Sequence, residues 1–287
     1  MMMALDRGLR GGVWYSLIDK VYQEKTLELA WTQVRKNRGS AGIDRVTTER
    51  FKQNKEARLR ELGEKLKSGT YTPQAVRRVN IPKEKGKTRP LGIPCVIDRI
   101  VQGAIRLAIE PIFEHEFSDN SYGFRPGRGA KDALRRVDKQ LKDGYRFVVD
   151  IDLESYFDTI PHDKLIALIW ERLRDGKIRK LIEAFLKQQV MEECKTWTPT
   201  TGTPQGGVLS PLLANIYLNP LDHLLEDKGY QITRYADDCV VLCKTQDEAE
   251  AALRIIQKWV ESAKLKLHPV KTKIVDIDNS DGFDFLG

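Results

Sequence analysis

The sequence is poor in cysteine, poor in long apolar runs and, over its first half, poor in acidic residues. Its 287 residues include four cysteines, Cys95, Cys194, Cys239 and Cys243, with no CxxC spacing and no neighbouring histidine cluster. That argues against a disulfide framework or a zinc site and fits a reducing cytoplasm. Cys239 and Cys243 read as buried strand residues. No apolar stretch approaches the ~20 residues that cross a bilayer. The opening MMMALDRGLRGG lacks the apolar region of a signal peptide, so the expectation is a cytoplasmic chain without a membrane partner. The formal net charge of +7 hides an asymmetry. Residues 1–149 hold 31 Lys and Arg against 18 Asp and Glu, whereas residues 150–287 hold 17 against 23. A basic half suits a polyanion track and an acidic half suits a cation site. A solvated helix face explains any single charge run, but not a change of sign that coincides with motifs.

The most informative acids are those of Tyr235-Ala236-Asp237-Asp238. Ile232–Tyr235 on one side and Cys239–Cys243 on the other are β-rich, so the stretch reads as a hairpin with two carboxylates at its tip. Adjacent carboxylates repel, and burying one unpaired costs several kcal/mol unless a cation is present. A solvated turn explains these four residues equally well. A third carboxylate comes from FVVDIDLESYFDTI, where the apolar Phe147–Val149 runs into Asp150 and Asp152. Alternate strand residues share a face, so Asp150 and Asp152 point the same way. Such a set meets the needs of two-metal phosphoryl transfer, and Mg2+ suits a few carboxylates completed by water and phosphate.

Elsewhere the periodicity predicts helices over 13–37 and 49–67, the second closed by Gly69, with a glycine-containing loop between them. Gln74–Pro94 reads as a hairpin in which Arg77, Arg78, Lys83, Lys85, Lys87 and Arg89 face a single Glu. It is either a phosphate-binding hairpin or one kept soluble by its charges. A core helix follows from Asp98 to Phe117. Ser121–Gly129 then sets the aromatics Tyr122 and Phe124 beside Arg125 and Arg128, a pattern that stacks on bases and holds phosphates but also occurs in ordinary connections. A helix over Ala130–Leu141, two packing helices within 161–188, and helices over Leu212–Leu225 and 246–264 complete the pattern, with a strand near Ile274-Val275. Gly202-Thr203-Pro204-Gln205-Gly206-Gly207 leads into Ser210-Pro211, a good helix entry. Helix entry alone does not account for Gln205. His162 sits in a turn with nothing near it in sequence to make it a ligand, and Lys271 falls in KLKLHPVKT.

The blocks RRVNIPKEKGKTRPLGIP, IDRIVQ, SYGFRPGRGAKDAL, DIDLESYFDTIPHDKL, GTPQGGVLSPLLANIYLN, RYADD and the closing FLG resemble, in order, the reverse transcriptases encoded by bacterial group II introns. The likeness runs from about Asn37 to the last residue. It implies an α+β right-hand polymerase fold, with an N-terminal extension and fingers over 1–146 and a palm with an antiparallel sheet over 147–287. The thumb that follows the palm in the family is expected to be absent from this chain. It implies RNA-directed DNA synthesis on a DNA or RNA primer from deoxynucleoside triphosphates, with the parent intron RNA as a further partner. Two Mg2+ ions, or Mn2+, would be held by Asp152, Asp237 and Asp238. Asp150 rivals Asp152, which is preferred because the family has an aromatic five residues beyond its metal ligand, as Phe157 is here. Lys83 and Arg89 match phosphate-contacting positions, Gln205 one that positions the nucleotide, Phe157 one beneath its sugar, and Lys271 a phosphate-side lysine. Two alternatives remain: an intron-binding maturase with weak or no polymerase activity, and an RNA-templated RNA polymerase. Oligomeric state is not legible.

Overall fold

The computed structural model describes residues 12–82, 88–193, 195–279 and 282–286. The fold is α+β, with two four-stranded sheets and packed helices. The chain forms two compact units, each drawn from two stretches. The first comprises residues 1–115 and 161–213, and the second residues 116–160 and 214–287. The expected division near residue 146 is by role along the chain, whereas the division by packing is discontinuous, because residues 161–213 associate with the N-terminal stretch. Among the described residues no helix is long and apolar enough to cross a membrane.

In the first unit, strand β1 (Val76–Pro82) pairs antiparallel with β2 (Thr88–Ile93) as the alternating apolar residues require. The other two strands of this sheet, β4 (Val190–Glu192) and β5 (Lys195–Trp197), have three residues each, too few for a periodicity to announce them. The core is the Val96–Glu114 helix, whose Ile100, Ala104, Ile105, Ala108 and Ile109 are buried. It packs on the Glu24–Lys36 helix, with Ala30 close over Gly103. The predicted helix over 13–37 is in fact two, Ile18–Val21 and Glu24–Lys36, separated at Tyr22-Gln23. Likewise 49–67 divides into Thr48–Gln53 and Lys55–Ser68, the latter ended by Gly69 at φ 75°. Asp175 holds two parts of this unit together. One oxygen caps the Gly176–Leu186 helix through the N–H groups of Lys177 and Ile178, and the other accepts from Leu17 and Ile18.

In the second unit the sheet order is β6 (Gln231–Tyr235), β7 (Asp238–Cys243), β3 (Phe147–Ile151) and β8 (Lys273–Asp276), antiparallel throughout. The apolar residues of the central strands lie against helices because both faces are covered: Val148, Val240, Leu242 and Val275 cluster with Val137 of the Ala130–Lys142 helix. The Gln246–Ser262 helix, capped by Thr245, buries Ala249, Ala252, Ile256 and Val260. Cys95, Cys239 and Cys243 are buried free thiols.

One buried acid in the first unit has a consequence for stability. Asp98, fully buried, accepts from the Tyr71 hydroxyl, from Gln74 N–H (3.2 Å) and from Gln188 Nε2 (3.0 Å). Burial outweighs these donors and pushes its carboxyl up to about 6. The protonated form is therefore favoured by folding, and its stabilisation is complete below about pH 4 and lost as pH rises through about 6. We expect the unfolding free energy of the wild type, minus that of Asp98→Asn, to fall by up to about 3 kcal/mol between pH 4 and 7.5. Urea unfolding of both proteins across that range measures it, and a flat difference would refute the assignment.

Candidate active site

Tyr235 pairs with Asp238 across the β6–β7 hairpin, leaving Ala236 and Asp237 as a two-residue turn. Such turns need a positive φ, usually supplied by glycine; here Ala236 adopts φ 59°. The surroundings hold it there. Arg234, only 1% exposed, donates from Nη1 to Ala236 O at 2.8 Å and to Asn215 Oδ1 at 2.9 Å. Its Nε donates to both oxygens of Asp222, at 2.8 and 3.0 Å. Burial alone would lower the guanidinium's affinity for its proton, but Asp222 more than offsets this and holds it above its ordinary value. Asn215 and Asp222 are seven residues apart on the Ser210–Asp227 helix, two turns, so they share a face. Asn215 Nδ2 also donates to Gly123 O at 2.8 Å. Gly123 lies flat on the turn: a Cβ there would overlap the backbone nitrogen of Ala236. Only glycine permits this approach.

Asp152 follows the end of β3, beside β7 in the sheet. Its backbone is tied to the 268–272 segment: His268 N–H donates to Asp152 O at 2.8 Å, and Thr272 Oγ1 meets both Asp152 N and O. Lys271 Nζ lies 2.6 Å from Asp152 Oδ2, so this lysine pairs with the carboxylate. Asp150 lies directly across from Lys273 of β8 and Val240 of β7. The carboxyl of Asp238 is pushed up by burial, then by the charges of Asp237 and Asp152, with Lys271 pulling it back. That of Asp150 is raised by burial, opposed by Lys273 and reinforced by Asp152 and Asp238. Asp152 thus acts on both Asp150 and Asp238, and Asp237 acts on its neighbour Asp238. Phe157, half-buried in the short Tyr156–Thr159 helix, meets Tyr156 edge-on at 5.5 Å between centroids. Tyr156 is anchored by its hydroxyl, which donates to Ala214 O at 2.7 Å.

Among the described residues no three His, Cys, Asp or Glu side chains stand as they would around a metal ion. Lys271 is the cation beside Asp152 instead. The donor set nevertheless fits a hard divalent ion: its acids are all carboxylates, and Asp238 carries the cost of lying near two others.

Gln205 belongs to the first unit. Its carbonyl accepts from Gly92 N–H of β2 at 2.7 Å, and Gly206, at φ 101°, would drive a Cβ into Gly92 O. The loop is further held by Ser210 Oγ donating to Pro204 O (2.7 Å) and by His162 Nε2 at 2.7 Å from Gly202 O. The buried His162, with no partner for Nδ1, therefore has a role in shaping this loop that its sequence context did not suggest. Arg89 stands in β2 opposite Ile81, whereas Lys83 lies outside the described residues.

In the glycine-rich loop the arginines serve the chain itself. Arg125 is buried, donating from Nη1 to the carbonyls of Ser118 and Ser121 and lying over the Phe117 ring. Arg128 binds the Asp119 carboxylate at 2.7 Å. Both shape the loop around residues 117–123, which requires more donors than a short polar connection supplies. Sequence reasoning also missed Arg234, Asp222, Asn215 and Gly123. Their signal was present as an arginine within an apolar strand and two polar residues at a seven-residue spacing in an apolar helix.

Residues 81–287 match the family model described as reverse transcriptase (RNA-dependent DNA polymerase), and the chain belongs to that family, on its group II intron-encoded reverse transcriptase and maturase branch. It is 38% identical over 285 residues to Protein YkfC of Escherichia coli (strain K12), covering 86% of this chain and 74% of that protein. It is 42% identical over 197 residues to the group II intron-encoded protein LtrA of Lactococcus lactis subsp. cremoris, covering 68% of this chain but 32% of LtrA. Among solved structures, a chain of a partial Cas6-RT-Cas1–Cas2 complex superposes with a TM-score of 0.52 at 26% identity, over 86% of this chain and 41% of that one.

The Arg234–Asp222 pair should be the costliest polar contact to break. Asp222→Asn leaves a buried guanidinium uncompensated, a loss of about 3–5 kcal/mol. Denaturant unfolding should show that drop, while Asp119→Asn, at the exposed Arg128 pair, should change stability by less than about 1 kcal/mol. Equal effects of the two would deny the buried pair its role.

Proposed function

We propose that this chain catalyses RNA-directed DNA synthesis, adding deoxynucleotides to a primer 3′-hydroxyl with loss of pyrophosphate. The observation that carries the reading is the convergence of the Asp237-Asp238 turn and Asp152 on adjacent strands, in a chain of the reverse transcriptase family. Asp152, Asp237 and Asp238 would hold two Mg2+ ions, or Mn2+, with Asp150 the rival of Asp152. When bound, such ions supply charge for the attacking and leaving oxygens of an in-line phosphoryl transfer. The chain's own residues do the rest. Arg234 and Gly123 hold the turn in its left-handed shape, so its carboxylates present a fixed array. Lys271 is the counter-charge of Asp152 and would be the lysine on the phosphate side. Lys83 and Arg89 would neutralise triphosphate charge, Gln205 would position the nucleotide, and Phe157 would pack under its sugar. The basic first half would follow an RNA template, and we assign the N-terminal extension and fingers to residues 1–146 and the palm to residues 147–287. A second reading, a maturase that binds intron RNA with little synthesis, draws on that same charge distribution and on the intron-encoded relatives.

Extension of an oligo-dT primer on poly-rA separates the readings. Asp237→Asn keeps the turn's shape while removing a charged oxygen donor, so synthesis should fall by several orders of magnitude with RNA affinity retained. Wild-type binding without synthesis would leave the maturase reading, and near-normal synthesis by Asp237→Asn would remove that residue from the metal site. Phe157→Val tests the RNA polymerase alternative. A 2′-hydroxyl buried against the ring without a partner costs about 1–3 kcal/mol, roughly 5- to 150-fold in rate. The variant should therefore incorporate ribonucleotides more readily relative to deoxyribonucleotides, and an unchanged ratio in a folded, active variant would clear Phe157 of that role.

A further inference from the structure

Lys271 and Asp152 meet at 2.6 Å with side chains 61% and 32% exposed. An ion pair so open to water contributes little by itself, and holding a long side chain in one geometry costs entropy. The placement of this lysine therefore depends on the backbone that carries it. Residues 266–268 run antiparallel to 152–154: Glu154 N donates to Lys266 O at 2.9 Å, Leu153 bridges Leu267, and His268 N donates to Asp152 O at 2.8 Å. Thr272 closes the far end, its N–H on His268 O at 3.0 Å and its hydroxyl against the Asp152 backbone. Between these fixed ends lie Pro269, Val270 and Lys271. Proline has no N–H to give, and Val270, 79% exposed, leans little on packing. A side chain fastens this stretch instead. The N–H groups of Val270 and Lys271 both donate to His268 Nδ1, at 3.3 Å. Turns closed in this way ordinarily use the side-chain oxygen of Asn, Asp or Ser; here an imidazole nitrogen takes its place.

We propose that His268 is a positioning residue, holding Lys271 against Asp152 so that the ammonium stands at one fixed place in the site. For the task of Lys271 this rests on the polymerase reading, which puts that lysine on the phosphate side; the placing itself rests on geometry. His268 acts through backbone and ring alike. Its N–H and C=O join Asp152 to Thr272, and its Nδ1 gathers the two amides in between. Accepting at Nδ1 puts the ring proton on Nε2. The lysine springs from the second of those amides, so its Cα is set relative to the Asp152 backbone before the side chain reaches out. That lowers the entropy lost when the ammonium must stand in one position during a reaction. Without the ring nitrogen, residues 269–271 keep only their ends, and Lys271 turns to water.

The probe is a water-soluble carbodiimide, which joins a carboxylate to an amine in direct contact with it. Applied to the full chain and read by peptide mass spectrometry, it should link Asp152 to Lys271 in the wild type. His268→Ala should lose that link, and His268→Asn, which offers an acceptor oxygen to the same turn, should keep it. In primer extension, His268→Ala should lower kcat roughly 10- to 150-fold, the scale of one hydrogen bond to a charged group. KM for the primer–template should not move, and His268→Asn should recover the rate. Lys271→Gln should lose a similar factor, and adding His268→Ala to it should cost nothing more, because both act through one ammonium. A purely structural role would make the two losses multiply and follow the melting temperature. Equal yields of the link in wild type and His268→Ala overturn the role. So does full extension by His268→Ala, or a multiplied loss in the double variant, in a chain that does synthesise DNA; the polymerase reading then stands. A link lost in His268→Ala and kept in His268→Asn, from a chain that extends no primer, supports the positioning and refutes that reading.

Discussion

The second unit depends on one buried ion pair. Arg234 and Asp222 are each 1% exposed, and through Arg234 the pair reaches the Ala236 carbonyl, Asn215 and, one step further, Gly123. A buried guanidinium is costly, and a hydrophobic pair of similar volume often serves stability as well. Its value here lies in direction. Five donors in a rigid fork can hold a helix, a strand and a turn in one arrangement. The strained Ala236 conformation that aims the two carboxylates is a consequence of that arrangement.

Charge compensation follows the same order. Strand β8 and its approach bring Lys271 beside Asp152 and Lys273 opposite Asp150. Lys271 also softens the repulsion at Asp238. The first unit uses carbonyl capture in a similar way. Arg77 binds Ala41 O and Arg99 binds the Ser40 carbonyl, so guanidinium groups hold the loop following Asn37, with Gly42 packed against the Cys95 backbone.

Much of the fold was readable in the chain. The core helix near Asp98–Phe117, the β1–β2 hairpin and the Tyr235–Asp238 hairpin follow from periodicity and turn chemistry, because apolar spacing and turn residues act locally. The breaks at Tyr22-Gln23 and Asn54 were not legible. The first lies just after backbone N–H groups that a distant carboxylate, Asp175, takes up. The β4 and β5 strands were missed because three residues carry no period, and their pairing is set by distant β1 for β4 and by β4 for β5.

The sequence by itself determined the chemistry: which carboxylates exist, their adjacency at 237–238, the alternation of 150 and 152, and the order of motifs that marks the family. Only the tertiary structure decided how each polar group is employed. Arg125 reads in its loop as either a phosphate contact or part of a connection, and is a buried brace. Arg234 reads as one strand residue among several and carries the turn. Phe124 reads as a loop aromatic and is held outward beside Tyr235. The physical reason is range. Periodicity and turn preference are set by neighbours a few residues away. The partner of a buried charge is set by which distant segment the fold brings within about 3 Å.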